Sequence, residues 1–411
     1  MKPMGAIPAD WTAAKLAVLA ATIGETPAFV YDLAIVRARV ARFRVAMPEQ
    51  LQLHYAIKAN PYAPLLLEIA KIVDGFDVAS GGEMEMALAA GVTPSHISIA
   101  GPGKRDAELA AAIEAGITIN LESEGEADRA LAQAGRLGTR PRVAVRVNPD
   151  FEIKGSGMRM GGGAKPFGVD AARVPALVRR LVEAGADWRG FHIFAGSQAL
   201  DAGAIITAER ETVALAAQLA EAAGHAPRLV NLGGGFGIPY FPGEVPLDIE
   251  AVGSALAETI ESRHEILADS RFAIELGRWL VGEAGVYFTR IIDRKESHGE
   301  IFLVVDGGLH HQLAASGNFG TVVRRNYPVA IVGGSADSSE EIASIVGCLC
   351  TPLDRLADKI MMPRADVGDV VAIFMAGAYG ATASPQAFLG HPAPNEILAD
   401  GGILMRYLTQ P

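Results

Sequence analysis

The chain has 411 residues, half of them hydrophobic, and its 36 Lys and Arg against 47 Asp and Glu give a net charge of −11. That size and apolar content support a large core and two domains, while the absence of a basic patch with interleaved aromatics excludes a nucleic-acid partner. No stretch reaches the roughly 18 apolar residues of a membrane span, and the first residues, with Lys2, Asp10 and Lys15, hold no long apolar run. The expectation is a soluble, cytoplasmic protein that acts on small molecules.

Residues 1–40, including the apolar run 28–31, precede the regular pattern and are expected to pack on either domain. From about residue 51 to 276, β-rich runs alternate with Ala/Leu/Glu-rich helical stretches. The runs lie at 51–57, 76–79, 96–100, 117–121, 142–148, 190–194, 228–232 and 272–276. Helical patterns fill the intervals at 63–73, 83–91, 106–116, 125–135, 171–185, 202–223 and 249–268, several of them ended by glycine. Eight such units predict a (β/α)8 barrel over 41–282, with its chemistry at the C-terminal ends of the strands. After about residue 283 the pattern changes to strands and turns, at 286–293, 301–306, 329–332, 344–350 and 370–374, which predicts an all-β domain over 283–411. Cys348 and Cys350 stand two apart in an apolar run. They cannot pair with each other and, with no Cys or His neighbours, form no metal site; a reducing compartment fits.

The residues of unusual chemistry fall at the predicted strand ends. Lys58 closes the first strand, is the only Lys or Arg between Arg44 and Lys71, and is followed at once by Asn60-Pro61. A desolvated lysine there has a lowered pKa and can attack a carbonyl; the bland alternative is a surface lysine with its head in water. Asp77 ends the second strand and His192 the sixth, although a lone His on an apolar strand is commonly a core residue. Leu232-Gly233-Gly234-Gly235-Phe236-Gly237 follows the seventh strand, where backbone N–H groups can approach a phosphate, and Gly277 and Arg278 follow the eighth. A lysine nucleophile with a barrel phosphate site points to pyridoxal 5'-phosphate bound as a Schiff base. Glu275 is then placed as partner of the pyridine nitrogen, unless it forms an ordinary salt bridge with Arg278 or Arg146.

These motifs resemble the fold-type III pyridoxal-phosphate decarboxylases of the ornithine/diaminopimelate decarboxylase family, over nearly the whole chain. Tyr55-Ala56-Ile57-Lys58-Ala59-Asn60 is similar to the family's Schiff-base segment, and Phe76-Asp77-Val78-Ala79-Ser80 to a ring-pocket segment. Gly234-Gly235-Phe236-Gly237 and Glu275-Leu276-Gly277-Arg278 resemble its phosphate and pyridine-nitrogen motifs. Gly347-Cys348-Leu349-Cys350 resembles the catalytic cysteine segment, with Cys350 in the catalytic place, and Gly377-Ala378-Tyr379 the motif whose tyrosine touches the phosphate. The resemblance implies an alanine racemase-like barrel with a C-terminal β-barrel domain. It also implies a two-fold homodimer in which the cysteine loop enters the partner's site.

Departures narrow the substrate. The family has an acid directly after the catalytic cysteine, which holds the substrate's distal amine; here Thr351 stands there, and the next carboxylate is Asp354. A simple diamine would lose a charge-assisted contact of roughly 1.5–3 kcal/mol. Phe194 and Ala195 are inserted between His192 and the phosphate-binding Gly196-Ser197. With Ser316-Gly317-Asn318-Phe319-Gly320 and Arg324-Arg325-Asn326-Tyr327-Pro328, these changes resemble the carrier-protein-linked glutamate decarboxylases and the exosortase-associated decarboxylases. The implied reaction removes the α-carboxylate of an amino acid, free or attached to an acyl carrier protein, with Cys350 or Lys58 returning a proton to the α-carbon. Arg324 or Arg325 is a candidate for a substrate carboxylate or carrier phosphate. The rivals are diaminopimelate decarboxylation proper, amino-acid racemisation, a non-catalytic pyridoxal-phosphate carrier, and a Schiff-base aldolase.

Overall fold

A computed structural model describes residues 1–151, 158–159, 162–317, 324–333 and 339–405. Asn318, Phe319 and Gly320 of the quoted motif therefore lie outside the described residues. The chain divides into two compact units, one of residues 40–238 and 246–277, the other of residues 1–39, 239–245 and 278–411.

The first unit is a closed parallel barrel. Its eight strands are Leu51–Ala56, Gly75–Val78, Ile97–Ile99, Thr118–Leu121, Arg142–Asn148, Asp187–Ile193, Leu229–Gly234 and Arg271–Leu276. Each pairs with the next, and the last returns to the first with Phe272 opposite Leu51 and Leu276 opposite Tyr55. Covered on both faces, parallel strands are buried nearly throughout, as Val-rich Arg142–Asn148 is over its last six residues. Leu53, Tyr55, Phe76, Ile119, Val145, Phe191 and Ile274 are buried, each contributing roughly 1.5–3 kcal/mol of apolar burial. The outer helices follow the 3.6-residue period: Val174–Glu183 buries Val174, Leu177, Val178 and Leu181 on one stripe.

The helical patterns at 63–73 and 249–268 shorten to Ala63–Ile69 and Ile249–Glu261. In the second case Arg263 folds back to donate to the carbonyls of Ile260, Leu267 and Ala268, which ends the helix before a 3-10 turn at Glu265–Leu267. The helix Ala202–Ala223 buries Glu209, whose Oε2 has no hydrogen-bond partner among the described residues; burial pushes this carboxyl up to about 8. No helix among the described residues is long and apolar enough to cross a membrane.

The second unit is built on a curled nine-stranded sheet. Its main path runs Arg355–Pro363, Glu340–Val346, Glu300–Val305, Gly285–Ser297, Ala28–Asp32, Asn395–Asp400 and Ile403–Leu404, while Val370–Ile373 joins Gly285–Ser297 to Val329–Val332. Curling comes from the 13-residue strand Gly285–Ser297. Its first half pairs with Ala28–Asp32 and Val370–Ile373, and after an irregularity between Ile291 and Asp293 its second half continues with Glu300–Val305. The early run 28–31 thus belongs to this sheet, antiparallel to one neighbour and parallel to the other. Fully buried Asp32 fixes it by accepting from the amides of Gly401 and Gly402 and pairing with Lys15 at 2.5 Å.

Two expectations are corrected here. The strand read at 344–350 is Glu340–Val346, so both cysteines lie in the turn after it. Arg355–Pro363 and Asn395–Asp400 are strands that the pattern does not mark.

Candidate active site

In the barrel unit, the chain leaves the first strand through a 3-10 turn, Ile57–Ala59, which seats Ile57 and Ala59 in the core and turns Lys58 outward. Lys58 is exposed, not desolvated as the apolar strand suggests, because the turn rotates it away from the strand's buried faces. Its Nζ lies 5.7 Å from the ring centroid of Phe194. Gly277 packs beside the same turn, where a Cβ would strike Ala59 and Ala56.

Glu275, nearly buried at the end of the eighth strand, faces His192 from the sixth at 3.3 Å. The pair is off the line a hydrogen bond needs, and neither ring nitrogen of buried His192 has a hydrogen-bond partner among the described residues. Burial alone would raise the Glu275 carboxyl, but His192, with Lys58 and Arg146 farther off, holds it well below the usual range. Glu275 is therefore an ionised carboxylate. Arg146 does not pair with it, since its Nη1 donates to Glu122 at 2.9 Å.

Asp77 accepts from Ser98 Oγ and stands 3.3 Å from His54 Nδ1. Burial pulls His54 down, yet the charge of Asp77 beside it, with Glu275 beyond, outweighs it and raises its pKa. His54 opens the Lys58 segment but has no feature in sequence to mark it as the partner of Asp77.

The glycine turn is shaped by backbone approach. Gly235 has φ of +89°, and a Cβ there would run into the Gly196 carbonyl. Its carbonyl accepts from Ala199 N at 2.9 Å, and Gly237 N donates to Ala199 O at 2.8 Å. The Gly237 amide is thereby engaged within the fold. Half-buried Ser197 stands in the two-residue strand Gly196–Ser197 alongside this turn. A cavity of about 470 Å³ at the opposite mouth is lined by Arg142, Arg189, Arg228 and Arg271 with Asp74 and Asp269. It lies at the N-terminal ends of the strands, the end that barrels use for stability.

In the sheet unit, Arg278 donates through Nη1 to Tyr240 Oη at 2.6 Å and lies over the ring of Tyr379 at 4.6 Å, with its buried Nε lacking a hydrogen-bond partner among the described residues. The cluster joins the predicted pair Arg278 and Tyr379. It adds Tyr240, which the sequence reading passes over because it follows the glycine turn in an unpatterned stretch.

The cysteine loop has a definite internal order. Asp354 is buried and accepts from Leu309 N at 2.7 Å and Leu349 N at 2.9 Å. Asp354 thus clamps the loop. Thr351 Oγ1 accepts from Leu353 N at 3.3 Å, and Arg324 Nη2 donates to Leu353 O at 3.3 Å. Cys350 is exposed between these anchors.

The sequence profile described as the pyridoxal-dependent decarboxylase, pyridoxal binding domain, matches residues 33–282. The chain belongs to the pyridoxal-dependent decarboxylases. Among relatives, the L-glutamyl-(BtrI acyl-carrier protein) decarboxylase of Niallia circulans is 37% identical over 386 residues, covering 92% of this chain and 90% of that one. The diaminopimelate decarboxylase of Aquifex aeolicus is 31% identical, covering 93% and 89%. The crystal structure of the M. jannaschii diaminopimelate decarboxylase in complex with L-lysine has a TM-score of 0.86 at 26% identity, covering 94% and 90%. As a pyridoxal-dependent decarboxylase this chain is an enzyme that decarboxylates an amino-acid substrate. That decides for decarboxylation over racemisation, carrier and aldolase roles.

Proposed function

We propose that this decarboxylase uses pyridoxal 5'-phosphate and removes the α-carboxylate of an amino acid attached to an acyl carrier protein. The barrel residues fit the cofactor: an exposed Lys58 amine on a buried turn, a buried Glu275 held well below the usual carboxylate range, and His192 with neither ring nitrogen hydrogen-bonded among the described residues. When bound, the cofactor supplies an electron sink for the pair left by the departing carboxylate. Lys58 would hold it covalently through Nζ, Glu275 would keep a proton on the pyridine nitrogen, and His192 and Asp77 would line the ring. Ser197, Gly235, Gly277, Arg278 and Tyr379 are assigned to the phosphate by resemblance. We infer a homodimer in which the Cys350 loop of one protomer serves the other's site. Cys350, exposed at its loop, returns a proton to the α-carbon.

The observation that carries the carrier-linked reading is the loop itself. Thr351 offers a hydroxyl where the family offers an acid, and Asp354 spends its carboxylate on the amides of Leu309 and Leu349. Neither residue provides a carboxylate for a distal ammonium, so diaminopimelate and simple diamines lose their anchor. An acyl-linked amino acid has no such ammonium to satisfy, and Arg324 at Leu353 supplies a cation for an anionic group of the substrate or carrier. The relative that is 37% identical is itself a carrier-protein decarboxylase.

The test is carbon dioxide release by cofactor-loaded protein on diaminopimelate, ornithine, lysine, arginine, glutamate and glutamyl carrier protein. Release from the carrier-bound substrate alone is expected. Turnover of diaminopimelate at a comparable kcat/KM would refute the loop argument.

A further inference from the structure

Outside the residues assigned above, one group of side chains is built like a metal site. His310, Cys348 and His391, far apart in sequence, converge in the sheet unit with one potential ligand atom from each lying within 4.8 Å of the others. The expectation of no metal site rested on the neighbours of Cys348 in sequence; the fold brings two imidazoles to it. Cys348 Sγ lies 3.8 Å from His391 Nδ1, and the His310 and His391 rings are 5.3 Å apart. His310 is fully buried, and neither of its ring nitrogens has a hydrogen-bond partner among the described residues. Adjacent His311 differs. Its Nδ1 meets Tyr287 Oη at 3.0 Å and its Nε2 the Pro392 carbonyl at 2.9 Å, so it is held as structure while His310 is not.

We propose that His310, Cys348 and His391 bind a Zn2+ ion. Two imidazoles and a thiolate are the donors of a four-coordinate zinc site, which keeps its fourth position for water. Zn–S of about 2.3 Å and Zn–N of about 2.0–2.1 Å set ligand atoms roughly 3.6 Å apart, so closure needs movements of about an ångström. Binding replaces the Cys348 S–H bond with an S–Zn bond and releases the proton to solvent, with no change of oxidation state. Asp354 clamps the loop from one side through Leu309 and Leu349. The ion would clamp it from the other, joining Cys348 to the segment that carries His391. Zinc thus stiffens the base of the loop that presents Cys350.

The test uses the full-length holoenzyme purified with zinc in the medium and dialysed against metal-free buffer. Elemental analysis should give about one zinc per chain, and cobalt exchanged into the site should show a thiolate-to-metal charge-transfer band. Cys348→Ser and His391→Gln should each lose the metal and the band while retaining wild-type far-UV circular dichroism and cofactor absorbance. Wild-type protein without zinc and without the cobalt band would overturn the proposal. Undiminished zinc in Cys348→Ser would overturn it equally, because the ion would then sit elsewhere.

Discussion

Glu209 lies in the middle of the helix Ala202–Ala223 with one carboxylate oxygen lacking a hydrogen-bond partner among the described residues and its pKa pushed by burial from 4.5 up to about 8. The folded chain therefore holds this proton more tightly than the unfolded chain does. Its stabilising effect is complete below the ordinary value and is lost as pH rises toward the folded one, a window from 4.5 to about 8. Each pH unit inside that window corresponds to about 1.4 kcal/mol, so at neutral pH the ionisable group leaves the fold roughly 3 kcal/mol less stable than a neutral isostere of equal packing would. Glu209→Gln supplies that isostere. Urea unfolding followed by far-UV circular dichroism should show the variant close to wild type near pH 5, with a stability gap in its favour that widens by roughly 3 kcal/mol toward pH 8. A gap that stays constant across this range would show that Glu209 ionises in the folded state as it does in the unfolded one.

Cys350→Ala should lower carbon dioxide release by about 10²–10⁴-fold, the range for losing a positioned proton donor, while the cofactor's visible absorbance is kept; an unchanged rate with the same amine product would remove Cys350 from the reaction. Asp354→Ala leaves the Leu309 and Leu349 amides without their acceptor, so denaturant unfolding should register a loss of about 2–4 kcal/mol, and Asp354→Asn a smaller one. Gly235→Ala combines a left-handed backbone with a collision against the Gly196 carbonyl. Thermal melting should fall by the equivalent of about 1–3 kcal/mol, and the affinity for pyridoxal phosphate, measured by titration, should fall with it.

The barrel was legible in the sequence because its strands are buried on both sides and read as Val/Ile runs between glycine-terminated helices. Lys58, Glu275 and the glycine turn stood out because a lysine, a carboxylate and four glycines are unusual at the ends of such runs. The second sheet was harder. Asp358 and Lys359 interrupt the apolar character of Arg355–Pro363, and the continuous apolar run through Leu349 hid the point where Gly347 turns the chain. The 3-10 turn that exposes Lys58 has no marker in residue type. His54 with Asp77, Tyr240 with Arg278, and His310 with Cys348 are pairings made by tertiary structure, which spacing along one chain does not record.

The strand Ala28–Asp32 lies between Gly285–Ser297 and Asn395–Asp400, and two of the amides that buried Asp32 accepts from, those of Gly401 and Gly402, come from the end of the chain. During synthesis this early segment waits, with its hydrogen-bonding edges open, while the intervening residues emerge at about 5–20 per second. The barrel, whose strands pair in sequence order, can close in that interval, but the sheet cannot be completed until its last strands leave the ribosome. An unpaired strand held open for that long is a site for mispairing. Truncation before residue 395 should therefore give a chain with a folded barrel and an aggregation-prone remainder.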